Sequence, residues 1–523
     1  MKPRFSTLMI LSALSLAPTP LWAGDDSAPA LYAQHCASCH GAERLGGMGP
    51  ALLPGNLSRL RRPQAVEVIA QGRAATQMPA FGEQLSEEQL HSLVELIYTP
   101  PAVTPRWGLE EIRASHQIPN PPGSLPDKPV FETADLLNLF IVVELGDHHA
   151  TLLDGNTFEP IHRFATRPNL HGGPKFSPDG RFVYFASRDG WITKYDLYNL
   201  KPVAEIRAGI NTRNLAVSDD GRFVMVANYL PHTLVALSGE DLTPLKVIPV
   251  ADEHGESSRV SAVYAAPPRG SFIAALKDIK EVWEIPYSED AEPVYTGIVH
   301  DWRPESGEIP PVDPGPFPVR RIKLEDYLDD FFFDPEYQHL IGASRDGGKG
   351  QVVNLIVGRP IADIDLPGMP HLGSGITWDY QGRSVLATPN LKEGAVSVVD
   401  MDSWEVIERI DTLGPGFFMR SHEQSPYAWV DVFFGPEKDA LHVIDKKTLE
   451  IVETLRPAPD KTAAHVEFTR DGRYALVSVW DPQGALVIYD AHTLEELKRL
   501  PMNKPSGKYN IHNKITLSRG TSH

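Results

Sequence analysis

The 523-residue chain holds only two cysteines, Cys36 and Cys39, and both lie in the run Cys36-Ala37-Ser38-Cys39-His40. No thiol is left for a structural disulfide, so stability must come from a sizeable core. A zinc site built on this pair would need two further ligands nearby. Cationic excess is missing too. Against 68 Asp and Glu stand 49 Lys and Arg, a formal net charge of −19, which argues against a nucleic-acid binder with a basic face. An anionic ligand in a local arginine pocket is not excluded, because nearby charges set a site's field. After the first residues, no apolar run is long enough to cross a membrane.

Lys2 and Arg4 precede an apolar stretch from Leu8 to Leu16, with a small-residue site at Ala23-Gly24. That pattern predicts a secretory signal over residues 1–23 and a soluble periplasmic protein. The C-x-x-C-H run predicts one covalent c-type haem: Cys36 and Cys39 add to its vinyl groups and His40 ligates its iron. Such haems are assembled outside the bacterial cytoplasm, so signal and motif agree. Helices are expected over Ala30–His35 and Gln89–Tyr98, the second with Leu90, Leu93, Val94 and Ile97 at helical spacing behind a Ser86–Gln89 capping box. The loop from Thr76 to Phe81 offers Met78 as second axial ligand, with Met48 the competing thioether. Residues 24–100 thus resemble a class I cytochrome c, small and all-α. Prolines then crowd residues 101–130, predicting a semi-rigid linker that spaces two domains.

Residues 131–523 repeat. A turn-then-strand signature recurs at Pro178–Phe182, Asp219–Phe223, Gln381–Arg383 and Arg470–Tyr474. A second one, Asp, short turn, apolar residue, Glu, recurs at Asp154–Glu159, Asp400–Glu405, Asp445–Glu450 and Asp490–Glu495. Short β-rich units of this period predict an all-β, eight-bladed β-propeller, with units starting near residues 137, 171, 213, 260, 328, 374, 425 and 463. The first unit lacks a strand, which the tail from Lys508 to Leu517 is expected to supply, closing the ring. Tyr287 to Arg321 breaks the period and reads as a long loop.

His171, His371, His422 and His465 fall near the starts of units, where a propeller gathers loops around its central mouth. Equivalent positions in a repeat aim side chains at one axis, so the four predict a shared site for a second haem-like group. Arg188, which follows the first strand pair of its blade, and Arg213, which opens the next, are expected at the same mouth.

A single-haem cytochrome domain joined to such a propeller resembles the cytochrome cd1 group. The likeness includes Leu139–Glu144, Pro370-His371, Phe417 to His422, Val479-Trp480 and Gly507 to Asn510. It implies that the propeller binds haem d1, that His171 ligates its iron, and that His371 and His422 match two distal-pocket histidines. Arg44 to Pro54, Gly146 to His149, Ala463 to Phe468 and Tyr509-Asn510 resemble the branch of the group that acts in haem d1 biosynthesis. This implies oxidation of a propionate of dihydro-haem d1 to an acrylate. His465 would be the base, Tyr509 its proton relay, and His371 the residue on the opposite face or the other ligand. Electrons would leave through the His40/Met78 haem to a soluble acceptor, with apo nitrite reductase or other d1-biosynthesis proteins as partners. Nitrite reduction and non-catalytic d1 carriage stay open as alternatives.

Overall fold

The computed structural model describes residues 26–57, 60–73, 78–103, 105–291, 293–295, 312–313, 315–344 and 348–516. The expected export signal lies outside them, as do Thr76 and Gln77 and much of the Tyr287–Arg321 insertion. No described helix is long and apolar enough to cross a membrane.

The N-terminal domain is helical: α1 (Ala28–His35), α2 (Ala37–His40), α3 (Arg62–Gln71) and α4 (Glu87–Tyr98). Ser86 starts α4 as anticipated. Its hydroxyl accepts from Gln89 N at 3.2 Å, while the Gln89 amide oxygen accepts from Ser86 N at 2.9 Å. The buried stripe Leu90, Leu93, Val94 and Ile97 packs on Leu31 and Tyr32 of α1 and on Ala65 and Ile69 of α3. Helix α3 was not anticipated. It opens with Pro63 in its first turn, where a missing N–H costs nothing.

The remainder forms eight four-stranded antiparallel sheets, an eight-bladed propeller. The repeated sequence signatures are turn chemistry. Between the first two strands of blades 2, 3 and 8, the hydroxyls of Ser177, Ser218 and Thr469 meet Asp179, Asp220 and Asp471 at 2.5, 2.6 and 2.6 Å. The glycine that follows has positive φ, 74° at Gly180, which a side chain tolerates poorly. Between the last two strands, Asp154, Asp400, Asp445 and Asp490 each accept backbone N–H groups two and three residues on, an Asx turn.

Ring closure comes from the tail. Pro505–Asn510 pairs antiparallel with Leu139–Glu144, Ile141 facing Tyr509. The strand begins earlier than anticipated, because Ile511–Ile515 turns into a short helix, α6, that buries Ile511.

The proline-rich segment is not a spacer, which corrects the sequence reading. It contains α5 (Leu109–Ala114), whose Ile112 is fully buried in the core between blades 2 and 3. Trp107 Nε1 donates to Arg207 O at 2.8 Å, and Gln117 exchanges backbone hydrogen bonds with Glu205 on the outer strand of blade 2. Proline content limits backbone conformation but says nothing of what a segment packs on. Ile112→Ala should cost about 2–5 kcal/mol, read as an earlier urea midpoint. A midpoint within error of the parent would mean the segment only rests on the propeller.

The domains also touch through Ala51 and Leu53, which pack on Ile210 of blade 3, and through Met48, whose sulfur lies 3.2 Å from His148 Nε2.

Candidate active site

The cytochrome motif is arranged to hold a haem. Cys36 and Cys39 are free thiols three residues apart on one helical turn, facing the same way. His40 Nδ1 lies 2.8 Å from the Pro50 carbonyl; as the donor there, it leaves Nε2 with the lone pair. Burial lowers the His40 pKa, favouring the neutral form a metal needs. Gly49 must be glycine, since a Cβ would sit 2.5 Å from the His40 ring. Met78 packs in the same apolar cluster as Cys36, Leu52 and Phe81, whereas Met48 faces the propeller. The residues present fit a haem that Cys36, Cys39 and His40 would hold, with Met78 a thioether within the same apolar cluster.

In the propeller the first strand of each blade surrounds the axis, and the loops feeding these strands form the mouth. β-Bulges re-aim side chains where needed. Register shifts fall at Arg213 in blade 3, Ser261 in blade 4, Asp329 and Asp330 in blade 5 and His465 in blade 8. His465 has φ +51°, a left-handed conformation that turns its imidazole out of the strand's alternation.

Blades 2 to 4 supply a cationic half. His171 Nδ1 meets the Arg213 carbonyl at 2.7 Å, and its Nε2 receives Arg188 Nη2 at 2.8 Å and Arg213 Nη1 at 2.9 Å. Burial first, then the two guanidinium charges, hold His171 well below its ordinary pKa, so it is neutral. Arg188 itself is pushed down to about 10 by burial and by Arg213. Neither arginine has a carboxylate partner among the described residues. Arg188, Arg259 and Lys277 ring Tyr229 at 5.9, 5.6 and 5.4 Å from its ring centre. Sequence reasoning passed over Tyr229, Arg259 and Lys277. Only Arg259 was within reach, since it precedes its inner strand as His171 does.

The other half is aromatic and imidazole-bearing. His371 Nδ1 lies 2.5 Å from Phe417 O, its Nε2 lies 3.7 Å from Asp330, and its ring stacks on Phe417 at 4.2 Å. Phe418 stands between His371 and His465, 6.2 and 4.9 Å from their ring centres. His465 is 2 % exposed, and its Nδ1 has no hydrogen-bond partner. Burial, then the charges of Lys508, Arg420 and Lys514, keep it neutral far below its usual pKa. Tyr509 lies 5.1 Å away, ring to ring, and burial raises its phenol to about 12. Asp431 ties these parts together by accepting from the N–H groups of Phe417, Phe418 and His465 at 2.7, 3.0 and 3.2 Å.

His422 does not join them. It follows the inner strand Met419–Ser421 of blade 7, in the turn position that Ser177, Ser218 and Thr469 occupy elsewhere. Its Nδ1 accepts from Gln424 N at 3.1 Å, and its ring abuts Gly472. The mouth end of that strand is Phe417, five residues earlier, or roughly 16 Å at the usual rise of an extended chain. The structure therefore gathers His171, Arg188, Arg213, His371, His465 and Tyr509, and replaces His422 at the mouth with Phe417 and Phe418.

A neutral imidazole pair, two guanidinium groups without carboxylate partners among the described residues and an aromatic wall suit a flat, polyacidic macrocycle with a metal centre. Comparison with known proteins agrees. The Cytochrome D1 heme domain family model matches residues 134–301 and 308–514, and the model "Cytochrome C oxidase, cbb3-type, subunit III" matches residues 24–97. The chain is 58% identical to the dihydro-heme d1 dehydrogenase of Pseudomonas aeruginosa over 96% of its own length and 97% of that protein's. It is 25% identical to a nitrite reductase of Stutzerimonas stutzeri, over 97% and 96% of the two chains. A solved structure described as dihydro-heme d1 dehydrogenase NirN in complex with DHE superposes with a TM-score of 0.80, at 58% identity, covering 93% of this chain and 99% of that one.

Proposed function

Because the chain belongs to the Cytochrome D1 heme domain family, we propose that it oxidises a propionate side chain of dihydro-haem d1 to the acrylate of haem d1. The side chain –CH2–CH2–COO⁻ becomes –CH=CH–COO⁻. Two C–H bonds break, one C–C π bond forms, and two protons and two electrons leave.

The observation that carries this reading is His465, neutral, buried and without a partner on Nδ1, with Tyr509 beside it. A base of this kind takes a proton from carbon only if it is uncharged and dry before the reaction. Tyr509 is the neutral phenol that passes or positions the proton; Gly173 and Gly507 leave room for its ring, since a Cβ on either would lie within 3.0 Å of it. His171 offers its Nε2 to the substrate's iron, and Arg188 and Arg213, which now rest on that atom, would turn to substrate carboxylates. His371, beside Asp330, faces the substrate from blade 6. Cys36, Cys39, His40 and Met78 would hold a haem, which would supply one-electron redox chemistry. We place the protein in the periplasm, acting with a soluble electron acceptor and supplying d1 to a nitrite reductase.

The test loads the full-length c-haem protein with dihydro-haem d1 without nitrite, then extracts and identifies the tetrapyrrole. Recovery of the acrylate form as the c-haem absorbance changes to its reduced form is expected. Recovery of unchanged precursor, with an oxidised acceptor present and binding demonstrated, would leave only carriage or nitrite reduction.

A further inference from the structure

Below His465 and Tyr509, the propeller axis holds a cluster that the proton-abstraction scheme does not use. Arg420, from the inner strand of blade 7, is 5 % exposed, and its Nε and Nη1 have no hydrogen-bond partner. Lys175, from blade 2, reaches the same space beside the Tyr264 ring, 5.8 Å from its centre. Lys514 rises into it from α6, 5.7 Å from the Tyr509 ring centre. A buried carboxylate stands beside two of these cations, Arg420 and Lys514. Glu467 is fully buried, 4.0 Å from Arg420 Nε and 3.6 Å from Lys514 Nζ. Its other oxygen is taken by Asn513 Nδ2 at 3.1 Å and Phe468 N at 3.1 Å.

A buried guanidinium with two idle donors is costly unless an anion completes it. The same strain acts on its neighbours. Burial, with Arg420 adding to it, pushes Lys175 down to about 8 and Lys514 down to about 7. Position says what the anion is. Arg420 comes three residues after Phe417 on the inner strand of blade 7 and Lys175 four after His171, so the cluster lies deeper than the mouth, at the end where α6 follows the closing strand. An acid group reaching it must hang from a ligand lying across the mouth.

We propose that Arg420, Lys175 and Lys514 bind the carboxylate of the very propionate that is desaturated, drawing that side chain down the axis past His465 and Tyr509. This rests on the dehydrogenation reading above and adds its selectivity. Of the substrate's acid side chains, only the one that reaches these buried cations lies against the base, while the others meet Arg188 and Arg213. Cations around the carboxylate also stabilise negative charge developing on the adjacent carbon as its proton leaves.

The test uses full-length c-haem protein and its Lys175→Met and Lys514→Met variants, with circular dichroism and c-haem absorbance reporting that they fold. Dihydro-haem d1 and its propionate methyl ester are titrated into each by absorbance, and turnover of the acid is followed separately. The wild type should bind the acid at least about 10-fold tighter than the ester, and each variant should narrow that ratio to within about 3-fold. Turnover in the variants should fall further than binding does. A ratio unchanged in both variants overturns the anchor. Failure of the wild type to convert the acid would instead sink the dehydrogenation reading, while the acid-to-ester ratio still reports on the anchor.

Discussion

His465→Asn is expected to lower turnover of dihydro-haem d1 by about 10²–10⁴-fold, the usual worth of a positioned base. Asparagine is the substitution of choice because it tolerates the left-handed backbone at this position better than most residues. It also keeps the backbone N–H that Asp431 accepts. Substrate binding should stay within a few-fold of the parent, and the melting temperature should move little, because the imidazole's Nδ1 bonds nothing in the protein. The pH profile carries the sign. A base works when neutral, and burial together with Lys508, Arg420 and Lys514 lowers the pKa of His465 well below 6.5. Its contribution to the acid limb of kcat/KM therefore lies well below pH 6.5, and rate is lost only as pH falls through that lowered value. A variant retaining more than a tenth of the parent's turnover would remove His465 from the base role.

Deletion of residues 505–523 is the second change with a large expected effect. It strips the inner strand from blade 1 and leaves Leu139–Glu144 as an open edge, ready to pair with another chain. It also removes Ile511 from a core that holds Leu139 and Ile141, all fully buried. At about 1.5–3 kcal/mol for each such side chain uncovered or lost, the cost is several kcal/mol, comparable with a domain's whole stability. The truncated chain should aggregate on expression and show no single cooperative melt by calorimetry. A soluble product melting within a few degrees of the parent would mean that the ring holds without its closing strand.

The repeat was readable because six of the eight blades spend a Gly or an Asp on one of two recurring turns, and turn chemistry is local. His465, Tyr509 and His171 were singled out through resemblance to a family, not through local chemistry. His422 was misplaced for a physical reason. Unit seven was counted from residue 425, close to its second strand, because the inner strand Met419–Ser421 is only three residues long. A histidine that ends that strand therefore looked as though it preceded it. Lys277, Arg420 and Lys514 stayed hidden because they come from blade 4, blade 7 and the C-terminal helix α6, and only closure of the ring gathers their charges. The docking of α5 was hidden likewise: Ile112 is one apolar residue among prolines, and its burial depends on partners some 70 to 130 residues further along.

The pairing of Phe140 with Asn510 joins positions 370 apart in the chain, 510 less 140. Contacts so distant form late, since the loop they close must first lose its freedom. The seam between blades 8 and 1 is therefore expected to assemble late, and His465 and Tyr509 stand on its two sides. A partly folded chain can own every residue of the site yet not the site itself. His465 and Tyr509 come together only when the ring is complete.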